Sequence, residues 1–279
     1  MQICRTVKEM RTLVDEWRAN NKKIALVPTM GYLHDGHISL VKIAHTLGDK
    51  VVLSLFVNPT QFAPTEDLDK YPRDFQRDVD ACEKNGVDAI FAPTPEEMYE
   101  KDFSTWVTET SLSLPMCGVS RPIHFRGVCT VVLKLFNISR CDAAVFGKKD
   151  AQQALVIQRM VRDLNVPVKI VTAPLIREAD GLAMSSRNRY LSADERQRAL
   201  SLSRGIFAAE ESYKKGERSA AALIEQVRKS VEQAGGKIDY IVCNSRDTLS
   251  PVENINCPAL LAAAVYFGTT RLIDNVFLG

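Results

Sequence analysis

The sequence predicts an α/β protein: a doubly wound parallel sheet over residues 1–175, followed by a smaller α+β domain over 176–279. Three observations carry that expectation. Short apolar runs at 23–27, 51–57, 87–92, 142–146 and 166–173 alternate with segments whose apolar residues recur at helical spacing. Several of these runs end in polar or glycine-bearing turns, where open α/β sheets bind ligands. From residue 193 the alternation stops, and two consecutive helical segments precede three strand-like ones.

Taken in order, residues 7–20 read as an amphipathic helix with Val7, Met10, Leu13, Val14 and Trp17 on one face. Residues 23–27 read as a buried strand stopped by Pro28, followed by a helix that Gly48 closes. After the strand at 51–57 comes a loop over 63–72. A helix with Phe75, Val79 and Cys82 inward then stops at Asn85-Gly86. An edge strand is expected at 105–108 and a strongly apolar helix at 128–138. The strand at 142–146 leads into a helix with Ala154, Ile157, Val161 and Leu164 inward. Beyond it, helices are expected at 193–214 and 219–233, and strands at 237–243, 259–267 and 271–276.

Composition excludes several functions. Lys+Arg 36 against Asp+Glu 34 leaves a net charge of +2, too little for a whole-molecule field that attracts nucleic acid. Phosphate chemistry, if present, must be local. No apolar run approaches membrane length, and the start MQICRTVKEMR lacks a signal-peptide core, so a cytoplasmic chain without a membrane partner is expected. Seven scattered cysteines, never in CxxC, read as reduced, mostly buried thiols.

The chemistry concentrates in 23–47. A strand, a turn carrying Gly31, His34, Gly36 and His37, and a helix start together form an anion site, because the first helical N–H groups are unpaired and the dipole favours negative charge. Two of the chain's four histidines sit in that turn. Nucleotidyl transfer builds negative charge on the α-phosphate oxygens, and imidazole N–H groups aimed there stabilise it. Gly147, Lys148, Lys149 and Asp150 repeat the strand–turn–helix logic with lysines, point charges suited to polyphosphate. Asn58 and Gln61 follow a strand end and are binding candidates. Ser185, Ser186 and Arg187 lie on a polar loop that could close over a triphosphate.

Five blocks, together with Arg271-Leu272-Ile273-Asp274-Asn275, carry a resemblance. They are Pro28-Thr29-Met30-Gly31 with His34-x-Gly36-His37, Phe56-Val57-Asn58-Pro59-x-Gln61-Phe62, His124-Phe125-x-Gly127-Val128, Lys149-Asp150-x-Gln152-Gln153, and Asp180-Gly181-Leu182-x-Met184-Ser185-Ser186-Arg187-Asn188. In this order they resemble the pantoate–β-alanine ligase (pantothenate synthetase) family, within the wider HxGH nucleotidylyltransferases.

The resemblance implies a Rossmann-like catalytic domain and a two-step reaction. ATP and pantoate give a pantoyl adenylate and diphosphate, and β-alanine then displaces AMP. It implies that Met30, Gly31, Tyr32, Leu33, His34, Asp35, Gly36 and His37 line the ATP site, with His37 as proton donor. Gly147, Lys148, Lys149, Asp150, Ile176, Met184, Ser185, Ser186 and Arg187 would complete that site. Gln61 and Gln153 would hold pantoate, Gln61 also β-alanine, with Asn58 and His124 nearby. Magnesium with ATP and a homodimer through the amino-terminal domain are further expectations. Lys148 departs from the acidic or amide residue more usual there, and 114–120 matches poorly. The competing reading is an adenylyltransferase acting on another small acceptor, which would share His34 and His37 but need neither Gln61 nor Gln153.

Overall fold

A computed structural model of the chain describes residues 1–64 and 66–279. Of the loop expected over 63–72, Thr65 lies outside them. The chain divides into two compact units, Met1–Ser113 with Arg121–Pro174, and Leu114–Ser120 with Leu175–Gly279.

The first unit is built on a six-stranded parallel sheet. Its strands are β1 (Gln2–Cys4), β2 (Ile24–Thr29), β3 (Lys50–Leu55), β4 (Ala89–Phe91), β5 (Ala143–Gly147) and β6 (Lys169–Ala173), in the order β1-β4-β3-β2-β5-β6. The helices are α1 (Val7–Ala19), α2 (Asp35–Ala44), α3 (Phe75–Lys84), the short α4 (Pro95–Met98), α6 (His124–Ser139) and α7 (Ala151–Asp163); α5 (Cys117–Ser120) belongs to the second unit. β2 is central, pairing with β3 over Ile24 to Thr29 and with β5 at Ala25 and Leu26. Ile24, Ala25, Leu26 and Val27 are fully buried. Each large one among them contributes about 1.5–3 kcal/mol, which is why this run cannot lie anywhere but the middle.

Pro28 does not stop β2; the strand runs on to Thr29. Pairing with β5 has ended at Leu26, and Thr29 N–H turns towards β3, where it meets Ser54 Oγ at 3.3 Å. The missing Pro28 N–H therefore falls on the β5 side, beyond the last residue paired with that strand, where proline is tolerated. Residues 105–108 form no strand: Val107 N–H is taken by Thr130 Oγ1 at 3.0 Å. On α3 the inward residues are Asp78, Val79 and Cys82, while Phe75 is 37% exposed beneath the Arg5 guanidinium. Leu164 caps α7 and is exposed, and Met160 fills the place expected for it. β1 was too short to read from three residues.

The second unit packs α8 (Ala193–Lys214) and α9 (Ala220–Gln233) on the antiparallel sheet β7 (Lys237–Ser245), β8 (Ala259–Phe267) and β9 (Thr270–Leu278). Ser192 and Glu195 form a capping box at the start of α8, and Ser219 caps α9, so at both starts a local side chain accepts from a backbone N–H that has no partner inside the helix. All seven cysteines are free thiols and only Cys257 is exposed. Among the described residues no helix is long and apolar enough to cross a membrane.

One close approach sets how α6 packs on the turn at Thr60–Gln61. A Cβ on Gly127 of α6 would lie 2.6 Å from Thr60 O and 2.7 Å from Gln61 N. Alanine in a helix gains up to about 1 kcal/mol over glycine, but forcing a methyl into backbone costs about 1–3 kcal/mol. Gly127→Ala is expected to lose about 1–2 kcal/mol in urea unfolding; an unchanged or higher midpoint would show that the Thr60–Gln61 turn gives way freely.

Candidate functional site

β2 and β5 are neighbours from which the chain winds outward in opposite directions, so their carboxyl ends flank a topological switch point. The turns after these strands carry the predicted histidine pair and the Lys148–Asp150 residues. After β2, Gly31 and Tyr32 take left-handed φ values of 84° and 52°. His34 is extended at the helix cap, and α2 starts at Asp35. Leu33 points into the core, Asp35 is exposed, and Gly36 lies in the first turn.

The two imidazoles stack at 4.0 Å between ring centroids, tilted by 36°. His34 N–H donates to His37 Nδ1 at 3.3 Å. That bond assigns the tautomer: Nδ1 accepts, so the proton of the neutral ring sits on Nε2. Burial, then His34 and Lys149, push the His37 pKa well below the usual imidazole range. His37 at neutral pH is thus an uncharged ring presenting one N–H donor. Lys149 lies in a 3₁₀ turn, Lys148–Asp150, with its ammonium 3.9 Å from Asp150. Nothing lies within 4 Å of where a Gly147 Cβ would be, which leaves open space beside that turn.

Asn58 caps the 3₁₀ turn Pro59–Gln61. Its Nδ2 donates to Gln61 Oε1 at 3.1 Å and Gly127 O at 3.2 Å, and its Oδ1 accepts from Tyr99 OH at 2.8 Å and Thr60 Oγ1 at 3.0 Å. With 1% exposure and both ends of its amide engaged, Asn58 positions Gln61 rather than offering itself to a ligand. Gln61 Nε2 in turn points to Met30 Sδ at 3.3 Å, which ties this turn to the one after β2. His124 holds the same turn from below. Its Nδ1 donates to Gln61 O at 3.0 Å, while Arg121 Nη1 approaches Nε2 at 3.4 Å. Arg121 also grips Glu66 through Nε at 2.6 Å and Nη2 at 2.8 Å. Burial alone would raise the Glu66 pKa, but those hydrogen bonds and the guanidinium charge bring it below the ordinary value. The side chain of Gln153, half-buried on the first turn of α7, makes no hydrogen bond among the described residues. Its neighbour Gln152 is spent on Leu112 O at 2.9 Å.

In the second unit, Met184 N–H donates to Ile176 O at 3.0 Å, and Arg177 bridges to Ala183. Ser185 Oγ accepts from Arg187 N at 3.3 Å and caps the 3₁₀ helix Ser186–Tyr190. Asn188 Nδ2 binds Glu178 Oε1 at 2.5 Å and Ala183 O at 3.0 Å, and Arg196 reaches Glu178 and Asp180, both at 2.6 Å. Arg177 clasps the buried Asp274 at 2.6 and 2.9 Å. The serines and Arg187 are therefore mounted on an ion-paired hairpin that the sequence did not reveal. A charged residue in a turn reads as solvated until its partner, here 97 residues away, is placed.

Burial lowers the His124 pKa to about 4, aided by Arg121. The unfolded ring, near 6.5, binds a proton that the folded one refuses, so stability falls as pH drops from about 6.5 towards 4, by up to about 3 kcal/mol. Thermal melts should show that loss, and His124→Asn, which can still donate to Gln61 O, should show a shallower one. Parallel curves would remove His124 from the acid response.

The sequence pattern of the family described as Pantoate-beta-alanine ligase matches residues 2–277. A pantothenate synthetase of Thermotoga petrophila is 54% identical over 280 residues, covering 100% of both chains. One of Enterococcus faecalis is 51% identical over 276 residues, covering 99% of this chain and 98% of its own. A solved pantothenate synthetase of Thermus thermophilus superposes with a TM-score of 0.94 at 42% identity, covering 99% of each chain. A pantoate-beta-alanine ligase of Francisella tularensis, solved with "Beta-gamma ATP and Beta-alanine", gives 0.83 at 32% identity, covering 99% of this chain and 97% of its own.

Proposed function

The chain belongs to the pantoate–β-alanine ligase family and condenses pantoate with β-alanine at the expense of ATP, and we propose that it does so through a pantoyl adenylate formed beside the turns after β2 and β5. The observation that carries this route is the His34–His37 pair, set on a helix start with His37 held neutral and Lys149 near it.

A pantoate carboxylate oxygen attacks the α-phosphorus; that P–O bond forms as the bond to diphosphate breaks. Charge grows on the non-bridging oxygens, where the His37 Nε2–H and the helix N-terminus stabilise it. In this reading His37 acts as a hydrogen-bond donor, since a ring already short of its second proton has none to give away. Lys149, with Lys148 and Asp150 beside it, accompanies the phosphates. The β-alanine nitrogen then attacks the acyl carbon, the bond to AMP breaks, and the amine releases its proton. Gln61 and Gln153 hold pantoate, and Gln61 also meets β-alanine. Asn58 and His124 act through Gln61. The motif assigns Ile176 to adenine, and Met184, Ser185, Ser186 and Arg187 to the phosphates.

Magnesium fits as ATP's companion. Among the described residues no three acidic, histidine or cysteine side chains cluster. This cation keeps waters and takes phosphate oxygens, so one carboxylate such as Asp150 suffices. Bound there, it would screen the departing diphosphate. A cytoplasmic homodimer completes the proposal. The Gln61 and Gln153 placements favour the ligase over transfer of AMP to another acceptor.

The decisive experiment is diphosphate–ATP exchange with pantoate present and β-alanine absent. Pantoate-dependent exchange supports the adenylate; exchange with a different acid only would move the substrate assignment elsewhere. His37→Ala should slow exchange by at least about 10²-fold. Gln153→Ala should raise the pantoate KM by about tenfold, the loss of one or two hydrogen bonds, with the ATP KM little changed.

A further inference from the structure

The turn that carries the histidines is held from outside by a residue no motif contains. Asp78, on α3, is 3% exposed, and its two carboxylate oxygens accept from successive backbone donors, Tyr32 N at 2.7 Å and Leu33 N at 2.7 Å. The same oxygen that receives Tyr32 would lie 2.9 Å from a Cβ on residue 31, whose φ is 84°, so position 31 admits only glycine in this arrangement. Arg77, next on the helix, donates to Leu33 O at 3.0 Å and lays its guanidinium 4.5 Å over the Tyr32 ring. Three consecutive residues before His34 are thereby fixed by one turn of α3.

Two adjacent N–H groups converging from a left-handed turn make an anion nest. Here the chain fills it with its own carboxylate. Burial raises the Asp78 pKa, and the bonds from Leu33 and Tyr32 oppose that rise. A ligand phosphate is thus excluded from the nest and left to the next donors along, the imidazoles and the start of α2. The geometry points to Asp78 as the positioning residue of the histidine pair: its carboxylate sets where His34 and His37 stand, without touching substrate. The inference rests on the reading of His37 as a phosphate donor.

The test compares Asp78→Asn with the wild type. Asparagine is the same shape, but its Nδ2 faces one of the two N–H groups, donor against donor at hydrogen-bond distance. Pantoate-dependent exchange should fall at least tenfold in kcat, while the pantoate KM and the aminolysis of supplied pantoyl adenylate by β-alanine stay within about twofold. Nitrogen-15 spectra should show His37 as a single Nε2–H tautomer in the wild type and a mixture in the variant, a change that a general loss of stability would not produce. If Asp78→Asn does not fold, Arg77→Gln, an exposed position, should give the same signature at about threefold. A folded Asp78→Asn with wild-type exchange and an unmixed His37 tautomer would overturn the positioning role. Exchange unaffected by His37→Ala would instead overturn the reading beneath it.

Discussion

The rest of the first unit depends on the burial of β2 between two parallel neighbours. A strand hydrogen-bonded on both edges and covered on both faces has no freedom to slide, because a one-residue slip would reverse every side chain. Its end is therefore a fixed point. β5 beside it ends in the same direction, and the crossovers diverge from there, so two helix starts are delivered to one crevice without any residue of the crevice having to specify the fold. One hydrogen bond sets the His37 tautomer, and burial, with His34 and Lys149 beside it, disfavours its charged form.

The two histidines that matter use opposite ring nitrogens. His37 accepts at Nδ1 and presents Nε2–H, whereas His124 donates from Nδ1 and leaves Nε2 to Arg121. Backbone decides both: an N–H against His37, a carbonyl against His124. Burial keeps each ring neutral. Identical side chains thus present an Nε2–H in one place and brace the Gln61 turn in the other.

Periodicity is local, and what it governs was legible. The five apolar runs and the helix at 193–214 could be read because each is specified by neighbours in sequence. The HxGH turn and the glutamines were visible as residue types in strand-end positions. What was hidden depends on distant partners. Phe75 looked inward on α3 with Val79 and Cys82, yet Asp78 is buried beside those two in its stead, accepting from the Tyr32 and Leu33 donors. Residues 105–108 have strand-like composition, but Val107 spends its N–H on a threonine hydroxyl. Pro28 looked like a stop because the sequence does not say where pairing with one neighbour ends while pairing with the other continues.

The Asp78 contact also has a consequence for assembly of the nascent chain. Its donors lie 46 and 45 residues upstream, so β2, its turn and the start of α2 leave the ribosome with two amides lacking their acceptor until α3 has been made. The loop that must close is long, and its entropic cost precedes any reward from the contact. A chain interrupted before residue 78 therefore contains every residue of the HxGH motif but lacks the carboxylate that accepts from Tyr32 and Leu33.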